Sequence, residues 1–246
     1  MNYTIALIIM IIGGAVCGYL SGSILFAVIF SNCFKKTDVR TSGSNNPGFT
    51  NSTRLYGKKI GVLVLGFDTL KTIIPIVIFF LIYQLALRPY MIPFKTNTYD
   101  PAIFIYTPGI FAIVGHIFPI YFKFKGGKGI SCYGGLCLCL SPFIALIGII
   151  IIFLAVKLYK KVSIGSLAGA LLIPFLSLVP GINYFYMMYP NISICVQVAI
   201  HQTIIFVPIF VGLIILSCLV IYRHKNNIRN LLNKQEQPIT KSTSGK

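Results

Sequence analysis

The sequence predicts an all-α polytopic membrane protein: a seven-helix transmembrane bundle with its N-terminus outside and its C-terminus cytoplasmic. Three observations carry this. Of 246 residues 56% are hydrophobic and only 10% charged, and the mean hydropathy is +0.85, more apolar surface than a water-soluble domain of this size can hide. The apolar residues gather into runs of roughly 20, the length that crosses about 30 Å of hydrocarbon. Lysine and arginine collect at alternate ends of those runs, as the positive-inside rule requires of cytoplasmic loops.

Residues 5–30 form the first span. Its start carries no charge, whereas Lys35, Lys36 and Arg40 follow it and place its far end in the cytoplasm. Without a positive n-region it reads as an uncleaved helix. A polar loop runs to Lys59, and the second span, 60–87, returns to an external loop holding Arg88, Lys95 and Asp100. The third, 102–122, comes back in. A single span over 130–158 would strand Lys157, Lys160 and Lys161 outside. Ser141-Pro142 supplies a break, since proline lacks the N–H and disfavours helical geometry before it. The split gives a short helix over 129–140 and a span over 142–158. Rising about 1.5 Å per residue, the short helix barely crosses a bilayer or re-enters it. Residues 163–180 go outward, 181–195 lie outside and 196–222 return; six crossings is the alternative. The basic tail starts with a short amphipathic helix to about residue 232. Residues 238–246 read as disordered, leaving 1–237 as one integral-membrane domain.

The formal charge of +17 comes from 21 Lys+Arg against four acids, Asp38, Asp68, Asp100 and Glu236. It suits anionic headgroups or anionic substrates, although positive-inside bias accounts for part of it. Seven cysteines without a CxxC pair read as reduced small hydrophobes, with no metal site.

Two polar clusters stand out. After the third span comes a loop with Lys123, Lys125 and Lys128 among Gly126, Gly127 and Gly129. Glycines let backbone N–H groups converge on an oxyanion, and lysines supply charge. Gly129 follows Lys128 where a Walker A motif needs Ser or Thr, which disfavours nucleotide hydrolysis. A flexible basic turn facing lipid is the plainer reading. The first cytoplasmic loop, 38–57, is dense in Ser, Thr, Asn and Gly beside Arg40 and Arg54, suited to phosphate and polyol oxygens but also to ordinary turns. Ser23 lies inside the first span, where a buried serine most often bonds a carbonyl one turn back. Asp68 and Lys71 share a helix face within the second span, as a functional interior or a structural ion pair. His116 lies near the cytoplasmic end of the third span, and His201 reads as a satisfied interfacial or core histidine. His224, Asn227 and Glu236 belong to the tail; Glu236 alone would read as a solvated charge.

Taken in order, these motifs resemble one family. Gly22-Ser23, then Arg40-x-x-Gly43-Ser44-x-Asn46-Pro47-Gly48-x-Thr50-Asn51-x-x-Arg54-x-x-Gly57, Asp68-x-x-Lys71, Gly115-His116-x-Phe118-Pro119 with Phe124 to Gly129, and His224-x-x-Asn227-Ile228 with Leu231 and Glu236 resemble the bacterial acyl-phosphate-dependent glycerol-3-phosphate acyltransferases of the PlsY type. The likeness runs from residue 18 to 236. Leu25, Ala27, Asn45, Phe49, Ser131-Cys132, Asn230 and Lys234 depart from the usual pattern.

The resemblance implies transfer of a fatty acyl group from acyl phosphate to the first hydroxyl of glycerol 3-phosphate, at the cytoplasmic face of a bacterial cell membrane. The partners are those two substrates and membrane lipid, with no nucleic acid and no cofactor. It implies that Ser23, Thr50, Lys128 and the backbone of Gly126, Gly127 and Gly129 hold the acyl phosphate. Arg40, Ser44, Asn46, Arg54, Lys125, His224 and Asn227 would hold glycerol 3-phosphate, and Glu236 would order the tail against these groups or position the glycerol. The catalytic set it implies is Ser23, Arg40, Lys128, His224, Asn227 and Glu236. No Ser-His-Asp constellation is evident, so a substrate phosphate oxygen serves as base, with Ser23 as covalent nucleophile the alternative. A transporter or anion-binding protein for a phosphorylated solute is the competing class. It would not explain why all three motifs gather on one face.

Overall fold

The computed structural model describes residues 1–94, 101–179 and 203–236, and among these all regular structure is helical. In chain order the helices are α1 (Tyr3–Lys35), α2 (Phe49–Tyr56), α3 (Lys58–Phe94), α4 (Ile103–Phe122), α5 (Ile130–Leu140), α6 (Pro142–Tyr159), α7 (Val162–Leu176), α8 (Thr203–Arg223) and α9 (Lys225–Leu232). Helices α1, α3, α4 and α6 are each long and apolar enough to cross a membrane. Helix α8 bends by 57° into α9, and that pair makes a fifth candidate span; α5 and α7 are apolar but shorter. Large side chains such as Val62, Ile74, Phe153 and Ile215 point away from the bundle, as in a membrane protein whose solvent is lipid. Lys95, Asp100, His201 and the segments 181–195 and 238–246 lie outside the described residues.

Close packing of α1 on α4 builds the frame. Gly14, Gly18 and Gly22 recur every four residues and so share one helix face. A Cβ at Gly18 or Gly22 would overlap the backbone of Pro108 and Ala112, and one at Gly115 the carbonyl of Tyr19. With lipid as solvent, such small-residue contacts drive helix association.

The first span is not continuous. Helical bonding lapses at Ser23, Ile24 and Leu25, with Leu25 extended (φ −95, ψ 92), and resumes at Phe26. No proline marks the break, and Gly22, which immediately precedes it, is engaged in the contact with Ala112. The break is held by a tertiary contact, because the freed Ile24 carbonyl accepts a hydrogen bond from Lys71 Nζ at 2.6 Å. The break at Pro142 falls where the sequence puts it. Ser141 is extended and its Oγ accepts from the Ile144 N–H at 3.5 Å, capping α6. Short α5 is the buried plug of the bundle. Tyr133, Leu136, Cys137 and Leu140 are at most 3% exposed, and Tyr133 bonds Ser217 of α8 at 2.9 Å. Cys132, Cys137 and Cys139 are buried free thiols, as expected of small hydrophobes.

Turn-forming residues dominate the first polar loop, yet it contains α2. Fully buried Asn51 organises it: Nδ2 donates to the carbonyls of Val39 (2.9 Å) and Ser42 (3.0 Å), and Oδ1 accepts from the Ser44 N–H at 3.0 Å.

Candidate active site

The glycine-lysine loop is built around His116. After Pro119 the chain makes a 3-10 turn, and Lys123 and Phe124 adopt left-handed backbone (φ 55 and 59) that swings it back toward α4. A Cβ on Gly126 would overlap the His116 carbonyl, and one on Gly127 the imidazole. The Gly127 N–H donates to the His116 carbonyl at 3.0 Å. From the other side Arg223 donates to the Gly126 carbonyl (2.9 Å) and the Gly127 carbonyl (3.3 Å). These two glycines thus permit close approach to His116, and the Gly127 N–H is already engaged within the protein. The product of that clamp is a fixed position for Lys128.

Lys128 meets the tail. Its Nζ donates to Asn227 Oδ1 at 2.5 Å. The Asn227 amide donates to Glu236 Oε1 at 2.8 Å and to Ser163 Oγ at 2.6 Å, while Ser163 Oγ donates to the same carboxylate oxygen. Arg54 is near enough to Glu236 for the two charges to interact. Burial pushes the Lys128 ammonium down to about 8, with Glu236 opposing the shift and Arg54 and Arg223 adding to it. His224 is pushed down to about 4, first by burial and then by Lys128, with the Val220 carbonyl opposing. Its Nδ1 lies 2.8 Å from that carbonyl. A neutral ring therefore carries its proton on Nδ1 and presents Nε2 as an acceptor, an assignment made from this bond.

Two cavities meet at the Lys128–Asn227 bond. The first, about 490 Å³, has a polar mouth of Asn46, Thr50, Lys128, Ser163 and His224, and runs along apolar residues of α5 and α6 such as Leu138, Ile149 and Phe153. The second, about 400 Å³, is lined by Ser44, Arg54, Asn226, Asn227, Arg229 and Glu236. Lys128 lines one and Asn227 the other.

Most of the residues implied by the motifs come together here. Asn46, Thr50, Lys128, Gly129 and His224 line the first cavity, and Ser44, Arg54, Asn227 and Glu236 the second. Ser23, Arg40, Lys125, Gly126 and Gly127 line neither. Ser23 Oγ donates to the Tyr19 carbonyl one turn back (2.8 Å) and accepts from the Ile120 N–H (3.3 Å). Arg40 is held by Asp38, with Nη2 to Oδ2 at 2.7 Å, and lies over the Phe122 ring. That hydrogen-bonded guanidinium holds the Asp38 carboxyl below its usual range. Lys125 is exposed. Sequence reasoning missed Ser163, Arg223, Asn226 and Arg229. Asn226 and Arg229 flank Asn227 and were within reach, whereas Ser163 meets partners 64 and 73 residues away and Arg223 bonds residues 96 and 97 away.

A second ionic cluster borders the first cavity, whose lining includes Asp68 and His116. Lys71 Nζ is 2.9 Å from Asp68 Oδ1 and 2.9 Å from His116 Nδ1, besides its bond to Ile24. These contacts tie α1, α3 and α4 together at the loop's base.

A family model described as glycerol-3-phosphate acyltransferase matches residues 12–234. The chain belongs to that family. It is 40% identical over 239 residues to the glycerol-3-phosphate acyltransferase of Ureaplasma parvum serovar 3, covering 96% of this chain and 91% of the relative. To that of Mycoplasma pneumoniae it is 37% identical, covering 98% and 99%. Its fold is similar to the crystal structure of PlsY, an integral membrane glycerol 3-phosphate acyltransferase, with a TM-score of 0.68 at 28% identity over 92% of this chain and 94% of the other. The PlsY-type resemblance carried by the motifs is borne out.

Proposed function

We propose that this membrane acyltransferase moves a fatty acyl group from an acyl phosphate to the first hydroxyl of glycerol 3-phosphate, giving lysophosphatidic acid and inorganic phosphate at the start of phospholipid synthesis. The observation that supports it is the pair of cavities meeting at Lys128 and Asn227, one lined by polar residues and one that joins polar groups to a long apolar wall. The similar solved structures are a glycerol 3-phosphate form and a lysophosphatidic acid form of PlsY.

The acyl phosphate head lies at the mouth of the first cavity against Lys128, Thr50 and Asn46, and its chain follows the apolar wall. Glycerol 3-phosphate enters the second cavity, its phosphate against Arg54, Arg229 and Ser44. Asn227, oriented by Glu236 and Ser163, fixes the boundary between them. Lys128 donates one bond to Asn227, and an ammonium has three to give, so two remain for the leaving phosphate. The hydroxyl oxygen attacks the acyl carbonyl carbon, the ester C–O bond forms and the acyl C–O bond to phosphate breaks. The hydroxyl proton passes to a phosphate oxygen, whose second pKa is about 6, as for phosphorylated side chains. Alignment and charge neutralisation then do most of the catalysis, because phosphate is a good leaving group.

Ser23 serves here as a structural hydroxyl, in keeping with direct transfer. Its bonds to Tyr19 and Ile120 tie the break in α1 to the turn after α4. Arg40, paired with Asp38, shapes the turn that carries Ser44. In this reading α5 and α7 are the short crossings of a seven-span bundle, with the N-terminus outside and both cavities on the cytoplasmic face of a bacterial cell membrane. Purified protein supplied separately with acyl phosphate, acyl-CoA and acyl-carrier protein tests the donor. Turnover is expected with acyl phosphate alone. Turnover with a thioester, or an acyl-enzyme trapped on Ser23, contradicts the proposal.

A further inference from the structure

Beyond the apolar wall of the first cavity lies a small pocket of about 60 Å³ between α5, α6 and α7. Ile130, Gly134, Ala145, Ile149, Ile152 and Ser166 line both, so the two spaces are continuous. The inner end is lined by Tyr133, Cys137, Ala170 and Ile173, each at most 6% exposed. The Tyr133 hydroxyl is committed to Ser217, leaving little in that end to hold a water, and apolar cavities of this kind stay dry.

Three glycines, one on each helix, keep the pocket open. A Cβ at Gly134 would meet nothing within 4 Å, one at Gly169 only the Ile173 Cδ1 at 4.0 Å, and one at Gly148 the same atom at 3.1 Å. Alanine would fit at Gly134 and Gly169, fill part of the void and favour the helix, since glycine is the weaker helix former and an empty cavity is itself destabilising. None of the three has an αL backbone that requires glycine. A void held open at that cost, and continuous with the cavity whose mouth carries Lys128, fits a transient apolar occupant.

Resting on the acyltransferase reading above, we infer that this pocket receives the methyl end of the donor's acyl chain and sets the preferred chain length, with Gly169 and Ile173 as specificity-determining residues. A chain that reaches the pocket buries its last methylenes; a shorter one leaves the void empty, and a longer one must bend out toward lipid.

The test is kcat/KM across a series of acyl phosphates from octanoyl to octadecanoyl, in wild type, Gly169→Leu and Ile173→Ala. Gly169→Leu is expected to move the optimum to shorter chains and to lower the long-to-short ratio about tenfold, the effect of removing roughly two methylenes from a buried site. Ile173→Ala is expected to move the optimum to longer chains. Should Gly169→Leu fail to fold, Gly169→Ala adds one methyl into open space and carries the same sign. Variants that turn over with the wild-type profile overturn the chain-length assignment and leave the acyltransferase reading intact. Wild type that turns over no acyl phosphate of any length overturns that reading instead.

Discussion

Two lysines in this bundle have contrasting surroundings. Lys71 is surrounded by three acceptors, Asp68, His116 and the Ile24 carbonyl, all within 2.9 Å, as many as an ammonium can serve. Among the described residues Lys128 has one such bond, to Asn227, and it lines an open cavity. The same chemical group is thus a fastener in one place and a waiting ligand in the other. The difference lies in how many donors the fold leaves over. An ionisable residue inside a span is by default a functional candidate; here the one inside a span is a joint between α1, α3 and α4, and the one in the loop lines the cavity proposed to hold the acyl phosphate.

Substitutions at the two lysines separate these roles. Lys71→Met strands the buried Asp68 carboxylate and is expected to destabilise the fold by about 3–5 kcal/mol, measured by denaturation in detergent, with Asp68→Asn in the same chain recovering much of it. A Lys71→Met protein that melts like wild type but has no turnover would break the comparison. Lys128→Met is expected to lower kcat with acyl phosphate by about 10²–10³-fold while leaving the melting transition in place. A large loss of stability without loss of specific activity would reverse the two assignments.

The pH profile sharpens the contrast. Lys128 titrates at about 8, so its ammonium is present below that pH and lost above it. KM for acyl phosphate should rise as pH passes through about 8. This limb should vanish in Lys128→Arg, whose guanidinium stays charged. His224, down at about 4, stays neutral from pH 5 upward, so the acid limb should follow the substrate phosphate and persist in His224→Asn. The smallest expected change is Ser163→Ala, which removes one bond from Asn227 and one from Glu236. About 1 kcal/mol, or several-fold in kcat/KM, is expected, against no change if Ser163 is only a helix-start residue.

Local chemistry was legible in the sequence and tertiary bookkeeping was not. Pro142 breaks the chain where its missing N–H says it must, and α6 begins there. The break in α1 lacks any such mark, because it is held by Lys71 from another helix. The motif residues did gather, but two of the glycines meant to cradle an oxyanion turned out to be shaped to His116. Glu236, a lone charge among basic residues in the chain, is half-buried and ordered by Asn227 and Ser163. The Ser163 contact could not be inferred from spacing, since that partner lies 73 residues upstream.

The central claim is that each cavity holds its own substrate, and the KM for each in Arg54→Met tests it most directly. Arg54 lines the second cavity and is absent from the lining of the first. Losing a charge-assisted bond to phosphate should raise KM for glycerol 3-phosphate by about tenfold or more and leave KM for acyl phosphate unchanged. A rise for acyl phosphate with none for glycerol 3-phosphate would contradict the account.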